Sequence, residues 1–151
     1  MAAGWRIAFL AYSDKATTPP TETEAGVNTL DPVGLAQSEI RAAKREADLV
    51  IVMVHWGREN YTTPTTRQRE IARRMVQMGA DMVIGAHPHV LQPVVAYRGA
   101  TIAYSLGNFV FDNHIYAQQW TAALWIEVSP DGTQSRSTYP CRIVACQPRL
   151  Y

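Results

Sequence analysis

The sequence predicts an α/β fold, with a parallel β-α-β-α-β unit in the first half and a β-rich second half of mixed or antiparallel strands. Residues 49–54 (LVIVMV) are apolar without alternation, which is typical of a central parallel strand covered on both faces. Segments with apolar residues at helical spacing lie on both sides of that run. Beyond residue 93, short apolar runs with turns between them replace the helical pattern. We expect residues 1–151 to form a single domain.

The first half alternates strands with helices. Asp31 is a good N-cap residue and Pro32 a good first helical residue, so a helix is predicted to begin there. A second helix is predicted to begin at Thr63 and Pro64 and to end at Gly79, a residue type that often follows the last helical turn. The predicted strands cover residues 6–12, 49–54 and 81–84, and the predicted helices cover about 31–47 and 63–79.

The second half contains a predicted hairpin and several further strands. The hairpin joins residues 93–97 to residues 101–104 through a short turn that contains Gly99. Pro130, Asp131 and Gly132 form a turn signal. Further strands are predicted over residues 109–111, 122–128 and 143–145.

Composition limits the classes of function. The chain has 151 residues, of which 47% are hydrophobic and 18% charged, and this is typical of a globular domain. The net charge of +1 argues against a protein that is held on nucleic acid mainly by charge. No apolar run approaches the length of a membrane span, and no signal-peptide pattern is visible.

Three of the four histidines lie at predicted strand ends. His87 and His89 follow the third strand, and because Pro88 disfavours a helical conformation at His87, we expect extended backbone that points both imidazoles the same way. His55 ends the central strand. In parallel sheets, ligand sites lie beyond the carboxyl ends of the strands. These three histidines therefore predict a metal site at that edge of the sheet.

Three longer motifs identify a family. The segments VHWGRENY (54–61), GAHPHVLQP (85–93) and YSLGNFVFD (104–112) occur in this order. Together they resemble the bacterial capsule-synthesis CapA family, which is associated with poly-γ-glutamate capsules. That family belongs to the calcineurin-like metallophosphoesterase superfamily.

The resemblance implies a four-layer α/β/β/α sandwich with a two-metal site between its sheets. His55 resembles the histidine ligand after the central strand, and His87 and His89 resemble the paired ligands of the superfamily's Gly-x-His-x-His signature. The implied cofactors are divalent ions (Mn, Zn or Fe), and the implied substrate is polyanionic or phosphorylated. Glu59 is a candidate acid/base or supporting group, and Asn108 is a candidate catalytic residue on a loop that approaches the site. Two alternatives stay open: Glu59 is a solvent-facing loop carboxylate, and Asn108 is a turn residue after Gly107.

The chain also departs from the family pattern. The Gly-Asp, Asn-Glu and Asn-His-x-x-Asp-like motifs that supply the family's carboxylate, bridging and amide ligands are absent. We therefore expect the chain to match the C-terminal portion of a larger metallophosphoesterase-like domain, with an incomplete metal site. Apolar surface on its sheet would then be exposed and favour a homo-dimer.

Three functions fit these expectations. The chain is a metal-dependent phosphoesterase or part of one, a non-enzymatic assembly or export factor for capsular polymer, or an inactive truncated remnant. The family is often membrane-anchored or exported, and the sequence of this chain does not assign a compartment.

Overall fold

The computed structural model describes residues 4–16, 18, 19, 21, 23–30, 33–112 and 115–151. Within these residues the strands form one sheet of five and one of three. The larger sheet contains β1 (Ile7–Ser13), β2 (Leu49–His55), β3 (Met82–Ala86), β4 (Val94–Tyr97) and β5 (Ala100–Ala103).

The larger sheet has the spatial order β1-β2-β3-β5-β4. Neighbouring strands are parallel except for the β4–β5 hairpin, which is antiparallel. The register places Ser13 opposite His55 and His55 opposite Ala86. The carboxyl ends of β1, β2 and β3 therefore meet at one edge, and the predicted α/β class is confirmed.

Helices α1 (Val33–Glu46) and α2 (Thr66–Gln77) cover one face of this sheet. The predicted cap at Asp31 and Pro32 lies outside the described residues. In α2 the helix begins later than predicted, because Thr65 forms a capping box with Gln68: the Thr65 hydroxyl accepts from the Gln68 N–H, and the Gln68 side chain accepts from the Thr65 N–H. Neither helix has the length and hydropathy needed to span a bilayer, as judged over the described residues.

The smaller sheet is antiparallel and contains β6 (Trp120–Val128), β7 (Gln134–Val144) and β8 (Gln147–Leu150). The predicted strand at 143–145 is wrong at its end, because Ala145 and Cys146 have φ of 48° and 63° and form the tight turn between β7 and β8. Residues 109–111 are not a strand either. They lie in a bent, exposed loop after Gly107, whose φ is 74°.

The smaller sheet packs against the β3–β5 side of the larger one. The Thr101 hydroxyl donates to Gln134 Oε1 at 2.7 Å, and Gln134 Nε2 donates to the Asp81 carbonyl at 2.9 Å. A second link is the hydrogen bond from the Thr121 hydroxyl to the Leu106 carbonyl, at 2.7 Å.

The non-helical face of β1 and β2 is left open. Met53 on β2 is 43% exposed and Phe9 on β1 is 68% exposed, although both are apolar residues within a strand. The expectation that residues 49–54 are covered on both faces is therefore wrong. The helices cover one face, and the smaller sheet packs at the β3–β5 side, so the other face of β1 and β2 is uncovered in the described part of the chain. An apolar cleft of about 590 Å³ follows this open face to His55.

Candidate metal centre

The edge where β1, β2 and β3 end carries the histidines. His55 is the last residue of β2, and its register partner Ala86 directly precedes His87. The His55 and His87 ring centroids lie 4.7 Å apart, and those of His87 and His89 lie 6.0 Å apart. The structure therefore brings the three predicted ligand residues together.

The backbone of the histidine pair is not extended as predicted. His87 has φ of 100° and His89 has φ of 60°, a region that non-glycine residues rarely adopt. The buried Pro88 between them offers its carbonyl to the Asn60 N–H at 2.8 Å. This bond ties the histidine pair to the loop after β2. Strained backbone of this kind is concentrated at functional sites.

Glu59 lies on that same loop and completes a group of three. The ligand atoms of Glu59, His87 and His89 all lie within 4.8 Å of one another. Glu59 is exposed, whereas the two histidines are half-buried. Ligand atoms around a tetrahedral zinc-like ion lie about 3.4 Å apart, so these side chains would have to move closer together to share one ion. Among the described residues, this is the single cluster of at least three such side chains.

Electrostatics favour neutral imidazoles at two of these positions. Burial lowers the pKa of His55, and the nearby charges of His89 and Lys15 lower it further. Burial also lowers the pKa of His87, helped by His55 and Lys15 and opposed by Glu59. Because the neutral form of imidazole binds metals, these shifts reduce competition from protons.

His89 has a polar partner behind it. Its Nδ1 lies 2.7 Å from Asn108 Oδ1, and Asn108 Nδ2 donates to the Gln118 carbonyl at 3.2 Å. The exposed Phe111 ring lies against the histidine, at 5.5 Å between centroids. Asn108 thus touches a member of the candidate centre, and it is buried.

The acidic residues Asp14 and Asp112 lie near the edge but outside the cluster of Glu59, His87 and His89. The Asp14 carboxylate pairs with Arg67 at 2.9 Å, and the Asp14 N–H donates to the His55 carbonyl at 2.8 Å. Asp112 is exposed and outside the cluster. The contact of Gln118 with Asn108 could not be predicted, because a glutamine on a 3₁₀ helix (Tyr116–Gln119) carries no recognisable signal in the sequence.

Comparisons with known proteins identify several relatives of this chain. The chain is 52% identical over 82 residues to the PGA biosynthesis protein CapA of Bacillus subtilis, covering 54% of this chain and 20% of that protein. It is 36% identical over 151 residues to the capsule biosynthesis protein CapA of Bacillus anthracis, covering 97% of this chain and 37% of that protein. A probable polyglutamine synthesis accessory protein of Mycobacterium tuberculosis is 35% identical over 75 residues, with 50% of this chain and 20% of that protein covered.

The chain therefore spans between a fifth and somewhat more than a third of the length of these relatives. The profile of the family described as "Bacterial capsule synthesis protein PGA_cap" matches residues 1–113, which include every member of the candidate metal centre. This chain belongs to the bacterial capsule synthesis protein family PGA_cap.

Proposed function

We propose that this chain carries a divalent-metal site for phosphoester chemistry in the synthesis of a poly-γ-glutamate capsule. The observation that supports the proposal best is the convergence of Glu59, His87 and His89 at the carboxyl edge of the parallel strands, with their ligand atoms within 4.8 Å. Membership of the PGA_cap family supports the biological setting. The names of the Bacillus relatives support the same setting.

In this proposal His87, His89 and Glu59 hold the ion, and His55 borders the same centre through its contact with His87. Two imidazoles and a carboxylate suit Zn, Mn or Fe. A divalent ion bound there supplies Lewis-acid polarisation of a phosphoryl oxygen. Glu59 is exposed, and its role as an acid/base group belongs to the same proposal.

The donor set suits one ion better than two. A two-metal phosphoesterase holds its ions about 3.5–4 Å apart and divides more ligands between them. Among the described residues the cluster offers three side chains, with His55 beside them. We expect one ion per chain, and phosphodiesterase activity of residues 1–151 no higher than background.

Cationic side chains favour an anionic substrate. Lys15 is close enough to lower the pKa of both His55 and His87. Arg67 stands beside the same edge, where its charge is shared with Asp14. We propose that these groups attract a phosphorylated or polyanionic substrate to the site.

The open face of β1 and β2 supports a proposal about assembly. Residues 1–151 form one domain that packs through this face within a larger metallophosphoesterase-like domain, or against a second copy of the chain. Exposed apolar side chains on the face, Phe9 and Met53 among them, favour such burial.

Metal content tests the site directly. The purified chain is equilibrated with Mn²⁺ or Zn²⁺, freed of excess ion and analysed by elemental mass spectrometry. We expect about one ion per chain in the wild type and a loss of tight binding in His87→Ala and His89→Ala, with unchanged far-UV circular dichroism. Glu59→Gln should also weaken binding.

The matched control for Glu59→Gln is Glu127→Gln, which removes an exposed carboxylate on β6, outside the cluster, and should leave metal content unchanged. Unchanged affinity in both histidine variants would refute the proposed ligands. Two ions per chain would refute the one-ion site.

Hydrolysis of bis(p-nitrophenyl) phosphate separates the enzyme from its alternatives. Mn²⁺-dependent turnover that His89→Ala abolishes would show that this chain alone is catalytic, contrary to our expectation of background activity. Metal binding without turnover favours either a site that is completed elsewhere or a non-enzymatic assembly or export factor.

A further inference from the structure

Asn108 and Gln118 form a buried polar chain behind His89. Asn108 is 8% exposed and Gln118 is 5% exposed. Asn108 Oδ1 lies 2.7 Å from His89 Nδ1, and Asn108 Nδ2 donates to the backbone carbonyl of Gln118 at 3.2 Å. Buried amide groups need such partners, because an unsatisfied polar atom in the interior is costly.

The carbonyl of Gln118 fixes which way the Asn108 amide points. A carbonyl oxygen only accepts hydrogen bonds, so it must face the Asn108 NH₂ group. With the amide reversed, two oxygens would oppose each other across this contact. The Asn108 atom that faces His89 is therefore the oxygen, which likewise only accepts.

It follows that His89 Nδ1 must be the donor. We infer that Asn108 is a positioning residue that holds neutral His89 in the Nδ1–H tautomer, so that Nε2 carries the free lone pair. This is the reverse of the tautomer that imidazole side chains favour in water. The 2.7 Å separation lies at the short end of the usual range for an N–H···O hydrogen bond.

The hydrogen bonds of Gln118 extend to the loop after β2, which carries Glu59. Gln118 Nε2 donates to Asn60 Oδ1 at 2.6 Å, and the Asn60 N–H donates to the carbonyl of Pro88. Gln118 thus connects the acceptor behind His89 with the residue next to Glu59. The buried Gln118 therefore contacts Asn108 behind His89 and Asn60 beside Glu59.

This inference deepens the proposed function and rests on it where metal is concerned. A ligating histidine is oriented by a hydrogen bond from its other nitrogen, and loss of that partner typically lowers metal affinity 10–100-fold. Asn108 would then act through His89 without touching substrate, which replaces the catalytic role expected from the sequence by a positioning role.

The tautomer is measurable without any metal. Long-range ¹H–¹⁵N correlation spectra of the labelled, chelator-treated chain distinguish Nδ1–H from Nε2–H imidazole, and the His89→Ala spectrum assigns the signal. We expect wild-type His89 to be mainly Nδ1–H at a pH where its ring is neutral. Asn108→Leu removes the acceptor and should shift His89 towards Nε2–H. Asn108→Asp loses the donor to the Gln118 carbonyl but keeps an acceptor oxygen towards His89, so it should retain Nδ1–H.

Zn²⁺ titration of the same variants supplies the second readout. Asn108→Leu should bind 10–100-fold more weakly, and Asn108→Asp should stay within about tenfold of the wild type. The matched control is Asn28→Leu, which changes an exposed asparagine and should alter neither measurement.

A wild-type spectrum dominated by Nε2–H would overturn the inference, even if Asn108→Leu fails to fold. An unchanged tautomer in folded Asn108→Leu would overturn it as well. If the wild type shows Nδ1–H but binds no Zn²⁺, the proposed metal function fails while the inference about Asn108 stands.

Discussion

The indole N–H of Trp56 donates a 3.0 Å hydrogen bond to the backbone carbonyl of Tyr104. The two residues follow β2 and β5, and the bond passes over the end of β3, which lies between those strands. Trp56 is fully buried, and its backbone N–H donates to the carbonyl of Ala86 at 3.0 Å. Trp56 therefore links the carboxyl ends of β2, β3 and β5 beside the candidate metal centre.

Trp56→Phe should lower the free energy of unfolding by about 1–3 kcal/mol, because the Tyr104 carbonyl loses its donor in the interior. Urea unfolding followed by far-UV circular dichroism measures the change. The matched control is Trp125→Phe, since Trp125 is 60% exposed on β6 and its replacement should change stability by less than about 0.5 kcal/mol. Equal stability of the two variants would contradict the role of the Trp56 bond.

Gly85→Ala tests how tightly the same region is packed. A Cβ at Gly85 would clash with the carbonyl oxygen of Tyr104 and the indole nitrogen of Trp56. We expect a loss of about 1–3 kcal/mol by urea unfolding, as is usual when a packed core must accept extra atoms. Gly34→Ala is the control, because Gly34 lies in the first turn of α1 with no described atom within 4 Å of an added Cβ, and there alanine should not destabilise the chain. A neutral Gly85→Ala would contradict the close approach.

The convergence of His55, His87 and His89 could be predicted from the sequence, because it needs only the parallel order of the strands. Once β2 and β3 pair in parallel, residues that follow their carboxyl ends become neighbours. Glu59 could be predicted only through the family motif that contains it. Its place next to His87 and His89 depends on how the loop after β2 folds back.

The conformation of the histidine pair could not be predicted. The preference of a residue before proline is a local tendency, whereas the φ of 100° at His87 occurs in a segment that tertiary contacts hold, among them the bond from the Asn60 N–H to the Pro88 carbonyl. The strand predicted at 109–111 was wrong for a similar reason. Three apolar residues favour a strand locally, but they have no strand to pair with in the described part of the chain. The exposed face of β2 could not be predicted either, because an apolar run in the sequence does not show which element covers it.

Stability should fall at alkaline pH through Tyr12. Its hydroxyl donates to Glu39 Oε2 at 2.6 Å, and burial, followed by this bond and the charge of Glu39, raises the pKa of Tyr12 above its ordinary value. In the unfolded chain the tyrosine loses its proton near pH 10, while the folded chain retains it. The contribution of Tyr12 is therefore complete below about pH 10 and decreases as the pH rises further.

Unfolding free energies measured at several pH values from about 9 upwards, for the wild type and Tyr12→Phe, test this linkage. The wild type should lose stability more steeply, because phenylalanine has no proton to release. Tyr139→Phe serves as the control, since Tyr139 is exposed on β7 and should keep the wild-type slope. Parallel pH curves for wild type and Tyr12→Phe would contradict the linkage.

We expect the chain to self-associate through the open face of β1 and β2. Phe9 lies on β1, at the edge of the sheet, with Ile7 and Met53 exposed on the same face. Edge strands with exposed apolar side chains readily pair with other chains, and burying such side chains on a partner releases water from apolar surface. Phe9→Lys adds a charge whose desolvation opposes burial, so the weight-average mass by sedimentation should approach that of the monomer at concentrations where the wild type associates. Trp125→Lys changes an exposed aromatic residue of the smaller sheet and should leave association unchanged. If both lysine variants reduce association equally, the contact is not specific to the β1–β2 face. A wild type that stays monomeric at every concentration would contradict self-association itself.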